Sequence, residues 1–357
     1  MMKHLNCSRV KVSIRRGYQQ EKGTLMENVY SIQHICLLLA SAVVFIAGLL
    51  IHSFIIAVNI ADCWNRRPMT SADQIIFSIG FSRLILQVSS LGDLCFTIIY
   101  QSLFRLLIIH EAMKFFFHLS NISSFWFSAL LSIVFYLKIS NFNNVFFLQL
   151  KNFILQKVVH LIFTCLLFSG PYTVVGVWWY HNEVVSLDMK IKMNITENIQ
   201  LGSDFHIYFI TGNAVPFMVS FISTILVVRN LCLHLSRMRG NNNITAHLDT
   251  YYIAIKSTAS CFVSYTLHII STNIIMTFYF SMDMVGVFCI DNIFPAVHSA
   301  YLIFITTRLR NQFSRFVHHG GRCLFNIESH KQIERINGQN GQGMEEPAKC
   351  NENIPMS

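Results

Sequence analysis

Polar side chains recur at regular steps within residues 113–144, an otherwise apolar stretch of the chain. At about 1.5 Å of rise per residue, a helix of this length crosses a hydrocarbon layer of about 30 Å. Steps of three and four residues place the polar side chains on one face of that helix: His118, Asn121, Ser124, Ser128 and Ser132. Such groups are costly against lipid, so we expect this face to lie against protein or a water-filled cavity. The chemistry available there is hydrogen bonding to a bound molecule.

Asn121 is the first candidate for a ligand-binding residue on this face. Its amide demands more hydrogen bonds than a serine hydroxyl does, and it lies near the outer third of the helix. The serines have an alternative function, because small polar residues also let membrane helices pack closely. The sequence leaves both functions open for the serines.

Three further ionisable residues inside apolar segments are candidates for contacts between helices or with a ligand. Arg83 is ten residues into a predicted helix that begins near Asp73, too deep for its side chain to reach the membrane surface. We therefore expect Arg83 to connect the first, second and seventh helices. Asp291 lies near the outer end of the last apolar segment and is a candidate for ligand binding. His298 shares its face seven residues further on, and a contact between helices is the more common function of such a histidine.

Motifs of the common enzyme classes are missing. The sequence contains no HExxH, GxSxG or Walker A motif, and no GxGxxG between a strand and a helix. Its ten cysteines are dispersed without a CxxC pair, which argues against a zinc or redox site. No basic stripe interleaves with aromatic residues on a soluble face, so nucleic acid is not an expected partner. We predict a protein that is not an enzyme and that holds no cofactor or metal.

The composition is that of an integral membrane protein. Of 357 residues, 53% are hydrophobic and 13% are charged, whereas soluble domains carry about a quarter charged residues. Seven apolar segments are separated by short loops: 33–58, 74–100, 113–138, 157–180, 206–229, 256–280 and 287–307. We therefore predict an all-α membrane protein, a seven-transmembrane helix bundle over residues 33–308. Residues 1–32 precede it, and residues 309–357 have the polar composition of a disordered tail.

The distribution of Lys and Arg sets the expected orientation. The basic residues lie in the first, third and fifth loops and after the last segment, whereas the alternate loops hold most of the acidic residues. Because cytoplasmic loops are enriched in Lys and Arg, we expect an extracellular N-terminus and a cytoplasmic C-terminus, in the plasma membrane with lipid around the bundle. Among the four N-x-S/T sequons, that of Asn194 lies in a long outer loop and is the one placed for a glycan.

Residues 1–25 do not fit this orientation. They carry six Lys or Arg and one acidic residue on the side that would be translocated. They also lack the apolar core of a cleaved signal peptide. We therefore expect translation to start naturally at Met26, which makes residues 1–25 an extension from an over-long gene model.

Several sequence blocks, in order, resemble the type 2 taste receptors, the bitter taste receptors. The blocks are NIADCWNRRPMTSADQI with SIGFSR, SFWF with LSIVFYLKISNF, PFMVS with HLSRM, and FPAVHSAYLI with RLR. They extend from the first helix to the end of the seventh, and LKISNF and the helix-seven histidine-serine pair are the most specific. The resemblance implies a seven-helix G-protein-coupled receptor that binds bitter small-molecule agonists from outside. It further implies signalling through a heterotrimeric G protein of the gustducin type to phospholipase C and calcium release.

The resemblance also implies functions for single residues. Arg83 corresponds to the family's arginine of helix two, and Asn121 to its pocket asparagine. His298 and Ser299 correspond to the histidine-serine pair of helix seven. Asn194 corresponds to the glycosylation site of the second outer loop.

Two groups of residues are expected to act at opposite ends of the bundle. The outer cavity should be lined by Phe117, His118, Asn121, Tyr265, Phe288 and Asp291. Phe117 stands where the family usually has tryptophan, which keeps an aromatic wall without an indole donor. Asp291 would favour cationic or amine-bearing apolar ligands. Structural and activation functions closer to the cytoplasm are expected for Phe135, Tyr136, Lys138, Pro216 and Ser220.

Two other functions are alternatives. A type 1 vomeronasal receptor is a related seven-helix chemoreceptor, but the LKISNF block and the histidine-serine pair argue against it. A small transporter or channel would have internal repeats and helices broken at paired Gly or Pro residues. The sequence has neither feature.

Overall fold

The structure is a computed structural model that describes residues 2–99, 107–140, 145–192, 203–239, 245–278 and 282–318. Within these ranges the regular structure is entirely helical. The helices are α1 (Met2–Trp64), α2 (Ser71–Ile99), α3 (Leu107–Ile139), α4 (Val145–Gln156), α5 (Val158–Lys192), α6 (Ser203–Arg239), α7 (Thr245–Phe278) and α8 (Met284–Ile305). Residues 307–318 form a further helix in a separate unit of the chain, which begins at Thr307.

Local sequence signals explain where two of these helices begin. At the start of α2, the Thr70 amide donates to the Asp73 carboxylate at 3.1 Å, and the Asp73 amide donates back to Thr70 Oγ1 at 3.3 Å. This is the reciprocal bonding of a capping box. At the start of α8, the Asp283 carboxylate accepts from the Gly286 amide at 3.3 Å. Both caps satisfy backbone donors that have no partner within the first turn.

The class of helical membrane protein is confirmed. By length and composition, six helices of the described chain are able to cross a membrane: α1 from Ile32, α2, α3, α5, α6 and α8. Each of the seven predicted apolar segments falls on a helix over its described residues. The sixth predicted segment lies on α7, which is not among the six.

The third helix is the centre of the bundle. α3 packs against α2, α5 and α6, and α8 packs against α1, α2 and α7. In the most apolar part of α3, 61% of the residues are buried inside the protein, whereas in that of α1 only 11% are. Apolar side chains of α1 such as Leu39, Val43 and Leu50 are exposed on the outside of the bundle. This distribution is that of helices whose outer faces contact lipid and whose inner faces contact each other.

Several helix boundaries differ from the prediction. α1 continues to Trp64 and α5 to Lys192, both beyond the apolar segments, and α4 was not predicted at all. Residues 309–318, predicted to belong to a disordered tail, are helical. Hydropathy marks the part of a helix that lies in lipid, and it carries no signal for turns that continue into water or for a short helix such as α4.

Candidate ligand-binding site

A cavity opens at one end of the bundle, between α2, α3, α5, α7 and α8. It has a volume of about 640 Å³ including its opening to solvent. The cavity lies in the C-terminal halves of α2, α5 and α7 and near the beginnings of α3 and α8, because these helices run in alternating directions. Its lining includes Ser90, Asp93, Lys114, Phe117, His118, Tyr180, Ile275, Val287, Phe288 and Asp291. We call it the outer cavity.

Four of the six residues predicted to line the ligand site meet in the outer cavity. Phe117 and His118 come from α3, and Phe288 and Asp291 from α8. Behind this wall, the rings of Phe288 and Phe45 of α1 lie 5.6 Å apart, which fixes the Phe288 side of the cavity against the first helix.

Asn121 and Tyr265 are not among the residues that line the outer cavity. Asn121 lies about one turn deeper than His118 and is only 2% exposed. Its amide oxygen has no hydrogen-bond partner in the described chain. Tyr265 is 1% exposed and packs its ring against that of Phe125, with 5.8 Å between the ring centroids. Both residues therefore lie in the layer beneath the cavity.

Asp93 is a cavity residue that the prediction missed. Its carboxylate lies 2.8 Å from His110 Nε2, so it joins the end of α2 to the start of α3. The signal was present in the sequence, since Asp93 is an acidic residue near the end of an apolar segment, as Asp291 is.

Lys114 and Tyr180 are a second pair that the prediction missed. The Lys114 ammonium lies 4.6 Å from the centre of the Tyr180 ring, in the geometry of a cation–π contact, and 3.5 Å from its hydroxyl. This pair connects α3 to α5. No local sequence signal links the two residues, because they are 66 positions apart.

Arg83 forms a buried network below the cavity. Its Nη1 donates to the Pro295 carbonyl at 3.1 Å and to Ser299 Oγ at 2.7 Å, and its Nη2 lies 2.5 Å from His298 Nδ1. Because a guanidinium has only donors, Nδ1 accepts and the imidazole proton belongs on Nε2. Arg83 is completely buried, and its hydrogen-bond partners among the described residues are all on α8.

The predicted connection of Arg83 to the first helix is made by other residues. On α1, His52 Nδ1 lies 3.0 Å from Gln87 Oε1, one turn after Arg83 on α2. Both His52 and Gln87 are completely buried. Two adjacent contacts thus join the three helices: His52 with Gln87 joins α1 to α2, and Arg83 joins α2 to α8. The guanidinium does not contact α1 because its Nη atoms are bonded to residues of α8.

The polar face of α3 is turned inward. Ser124, Ser128 and Ser132 each donate to a carbonyl of their own helix, three or four residues earlier, at 2.7–3.1 Å. Ser132 also lies 3.1 Å from Ser220 Oγ on α6. With their hydroxyls satisfied in this way, the serines act as small packing residues between helices.

A second cavity lies deeper in the bundle, with a volume of about 480 Å³ including its opening. We call it the inner cavity. Its lining brings together predicted residues of four helices: Phe135 of α3, Ser220 of α6, Tyr265 of α7 and His298 of α8. Pro216, which is buried, lies one turn before Ser220 on α6.

The cytoplasmic end predicted for α3 is tied to its neighbours. Ser140, just after α3, receives hydrogen bonds from Lys151 Nζ of α4 at 3.1 Å and from Asn230 Nδ2 of α6 at 2.5 Å. Lys138 is exposed and Tyr136 is half-buried at this end, and neither lines the inner cavity. Asn194, the predicted glycosylation site, lies outside the described residues.

Comparison with known proteins identifies the family. The family model for "Taste receptor protein (TAS2R)" matches residues 29–320. Taste receptor type 2 member 50 of Pongo pygmaeus is 27% identical over 298 residues, which cover 78% of this chain and 95% of the relative. The human protein of the same name is 25% identical over 284 residues, covering 76% and 92%. Taste receptor type 2 member 40 of Gallus gallus is 26% identical over 291 residues, covering 78% and 93%.

The family match includes every helix that lines the two cavities and begins three residues after Met26. It confirms the resemblance carried by the LKISNF block and the helix-seven histidine-serine pair. The protein belongs to the taste receptor type 2 family and is an integral membrane receptor.

Proposed function

We propose that this protein is a G-protein-coupled receptor of the plasma membrane that binds bitter small molecules in its outer cavity. Agonist binding is coupled to a heterotrimeric G protein of the gustducin type, and through it to phospholipase C and calcium release. The observation that carries the proposal is the family match over residues 29–320, which covers all six candidate membrane spans and α7.

The proposed topology has seven spans with the N-terminus outside. α7 supplies the span that is missing from the six apolar helices. It is 34 residues long and packs between α6 and α8, both of which are long and apolar enough to cross a membrane. The Lys and Arg distribution then puts the outer cavity on the extracellular side, where a tastant arrives.

In the proposed site, Phe117 and Phe288 provide apolar walls, while His118 and Asp291 provide polar contacts to the ligand. Asn121 and Tyr265 act one layer deeper, where they transmit the position of the ligand to the Arg83 network and the inner cavity. Carboxylates in a partly dry cavity favour ligands with a protonated amine, so Asp291 is proposed to bind the ammonium group of amine agonists.

The proposed coupling surface lies at the other end of α3. Phe135 faces the inner cavity, and Tyr136 and Lys138 lie at the cytoplasmic end of the helix. Pro216 and Ser220 of α6 provide the neighbouring wall. The hydrogen bond between Ser132 and Ser220 links the two helices at this level.

Calcium mobilisation tests the proposed function. Cells that express the receptor and a gustducin-chimeric G protein are exposed to a panel of bitter compounds, and calcium is recorded. We expect dose-dependent responses to some compounds, absent in cells without the receptor. A receptor that is present at the cell surface and responds to none of a broad panel would contradict the proposal.

The ammonium contact is tested with Asp291→Asn. We expect the potency of amine agonists found in the panel to fall about tenfold or more, since a hydrogen bond to a charged group is worth about 1.5–3 kcal/mol. Asp283→Asn, an exposed cap at the start of the same helix, is the matched control. Unchanged amine potency in Asp291→Asn, together with loss of response in Asn121→Ala, would show that the charge is not used.

A further inference from the structure

The outer cavity contains two opposite charges that have no ionic partner in the described chain. We propose that it selects amphoteric ligands, apolar compounds that carry both an ammonium group for Asp291 and a carboxylate for Lys114. The proposal rests on the proposed function of the outer cavity as the agonist site, and it adds the chemical class of the agonist.

Asp291 provides the negative charge. It lies on α8 two turns from the start of the helix, and its side chain lines the cavity while being partly buried. Within the described ranges it makes no ion pair and no side-chain hydrogen bond. A carboxylate in such a place gains most from a ligand that brings its own cation and hydrogen-bond donors.

Lys114 provides the positive charge on the opposite helix, α3. Its ammonium is held over the Tyr180 ring, at 4.6 Å from the centroid, which orders a side chain that is usually mobile. An ammonium group has three donors, and the tyrosine contact leaves donors available to a ligand. No carboxylate of the described chain forms an ion pair with it.

The other charged groups near the cavity already have partners. Asp93 is paired with His110 at 2.8 Å, and Glu111 lies 3.7 Å from His181. These contacts join neighbouring helices, so both carboxylates have a structural use. Asp291 and Lys114 are the charged residues of the cavity lining that form no ion pair within the described chain, and Asp93 of the same lining is paired with His110.

Electrostatic complementarity then decides between ligand classes. A ligand with only an ammonium group meets Asp291 but brings like charge towards Lys114, and a ligand with only a carboxylate meets Lys114 but brings like charge towards Asp291. A ligand with both groups satisfies both side chains, and unpaired charge in a partly dry cavity is costly. Phe117, Val287, Phe288 and Ile275 surround the space between the charges with apolar surface for the body of the ligand.

Four related probes test the proposal in the calcium assay. The first is the dipeptide leucyl-phenylalanine, which carries both an ammonium group and a carboxylate. Its C-terminal amide keeps only the ammonium group, its N-acetyl derivative keeps only the carboxylate, and the N-acetyl amide carries neither charge. We expect the dipeptide to act at about tenfold lower concentration than either singly charged derivative, because each charged contact is worth about that factor or more. Each probe is also tested as a competitor of an agonist from the bitter panel.

Two variants assign the charges. Asp291→Asn should remove the difference between the dipeptide and its N-acetyl derivative, and Lys114→Gln the difference between the dipeptide and its amide. Asp283→Asn and Lys157→Gln, which change exposed residues outside the cavity, should leave both differences unchanged. An N-terminal epitope measures surface expression of every variant.

The outcomes separate the two proposals. Absence of any response to the bitter panel would overturn the proposed function. A receptor that answers the panel but binds the dipeptide no better than its singly charged derivatives, or binds none of the four probes, would overturn the amphoteric class alone. This comparison needs only the unmodified protein, so it decides the question even if a variant does not reach the surface.

Discussion

At the scale of single residues, Arg83 has the most demanding position in the protein. A guanidinium that is 0% exposed inside a membrane bundle cannot be hydrated, so its donors must be satisfied by protein. The structure provides three acceptors on α8 for the two Nη atoms, namely the Pro295 carbonyl, Ser299 and His298, and Nε has no partner in the described chain. All three are neutral, so Arg83 joins two helices by hydrogen bonds and not by an ion pair.

The first prediction follows from the shape of that group. Arg83→Lys keeps the charge but loses the planar fork that reaches three acceptors, so we expect a loss of about 1–3 kcal/mol in stability and lower surface expression. Thermal unfolding of purified receptor in detergent measures the loss. Arg229→Lys on α6 is the matched control, because its side chain is exposed. Equal melting temperatures for the two variants would contradict the assigned network.

At the scale of elements, α1 and α2 approach each other closely at a glycine. A Cβ at Gly48 would lie 2.1 Å from Gln87 Nε2 and 3.1 Å from Gln87 Cδ. Gln87 is held by its hydrogen bond to His52 and is completely buried, so it has little freedom to move aside. The absence of a side chain at Gly48 is therefore what permits the contact between His52 and Gln87.

A pair of glycine variants tests this close approach. Gly48→Ala should destabilise the protein by about 1–3 kcal/mol, because Gln87 must leave His52. Gly170→Ala on α5 is the control, since a Cβ there would meet no atom within 4 Å. It should be neutral or stabilise by up to about 1 kcal/mol through helix propensity. The same sign for both variants in thermal unfolding would contradict the assigned contact.

The element that organises the bundle is α3, and its two ends differ in chemistry. At the cavity end, Lys114, Phe117 and His118 line the outer cavity. At the other end, Ser140 is tied to α4 and α6. Between them, the hydroxyls of Ser124 and Ser128 are bonded to their own backbone, and Ser128 also lines the inner cavity.

At the scale of the whole molecule, the position of Asn194 links chain topology to the cavity. Residues 193–202 connect α5 to α6, and Tyr180 of α5 lines the outer cavity. In the proposed topology, Asn194 is expected on the same side of the membrane as the outer cavity. Asn243, between α6 and α7 in the chain, is expected on the other side. A glycan at one of these residues reports which end is extracellular.

This orientation is measured by enzymatic deglycosylation, as a change in electrophoretic mobility. The protein used starts at Met26, so that it lacks the Asn6 sequon. We expect a mobility shift that is lost in Asn194→Gln and retained in Asn243→Gln, because glycans are added only on the translocated side. A shift lost in Asn243→Gln would reverse the proposed topology and place the outer cavity in the cytoplasm.

A shortened chain tests the contribution of residues 1–25. The family match begins at residue 29, so all receptor-specific positions remain when the chain starts at Met26. We expect this protein to reach the cell surface and to give the calcium responses of the full chain. Loss of both surface expression and signalling would show that the basic segment is required.

Much of the fold could be predicted from the sequence because its signals are local. In lipid, backbone N–H and C=O groups must form hydrogen bonds with each other, because no water is present. Only a helix or a closed β-barrel achieves this, so a long run of apolar residues is expected to form a helix. The same physics predicted that Arg83 needs protein partners and that the polar face of α3 turns inward, and the contacts of Arg83 and Ser124 agree with both.

The composition of the outer cavity could be predicted only in part. Phe117, His118, Phe288 and Asp291 line the outer cavity, whereas Asn121 and Tyr265 are buried beneath it. Asn121 lies about one turn below His118, and Tyr265 lies ten residues from Ile275, the α7 residue that lines the cavity. The depth of each residue is set by the tilt and position of its helix, and these depend on packing against neighbours distant in the chain.

The sequence by itself determined the membrane class, the positions of the apolar helical segments and the family, because hydropathy, helical period and family motifs are properties of consecutive residues. Only the tertiary structure decided which charges meet. It paired Asp93 with His110 and Lys114 with Tyr180, and it left Asp291 without an ionic partner in the described chain. The physical reason is that charges interact through space, and the distance between two side chains is set by how the helices pack.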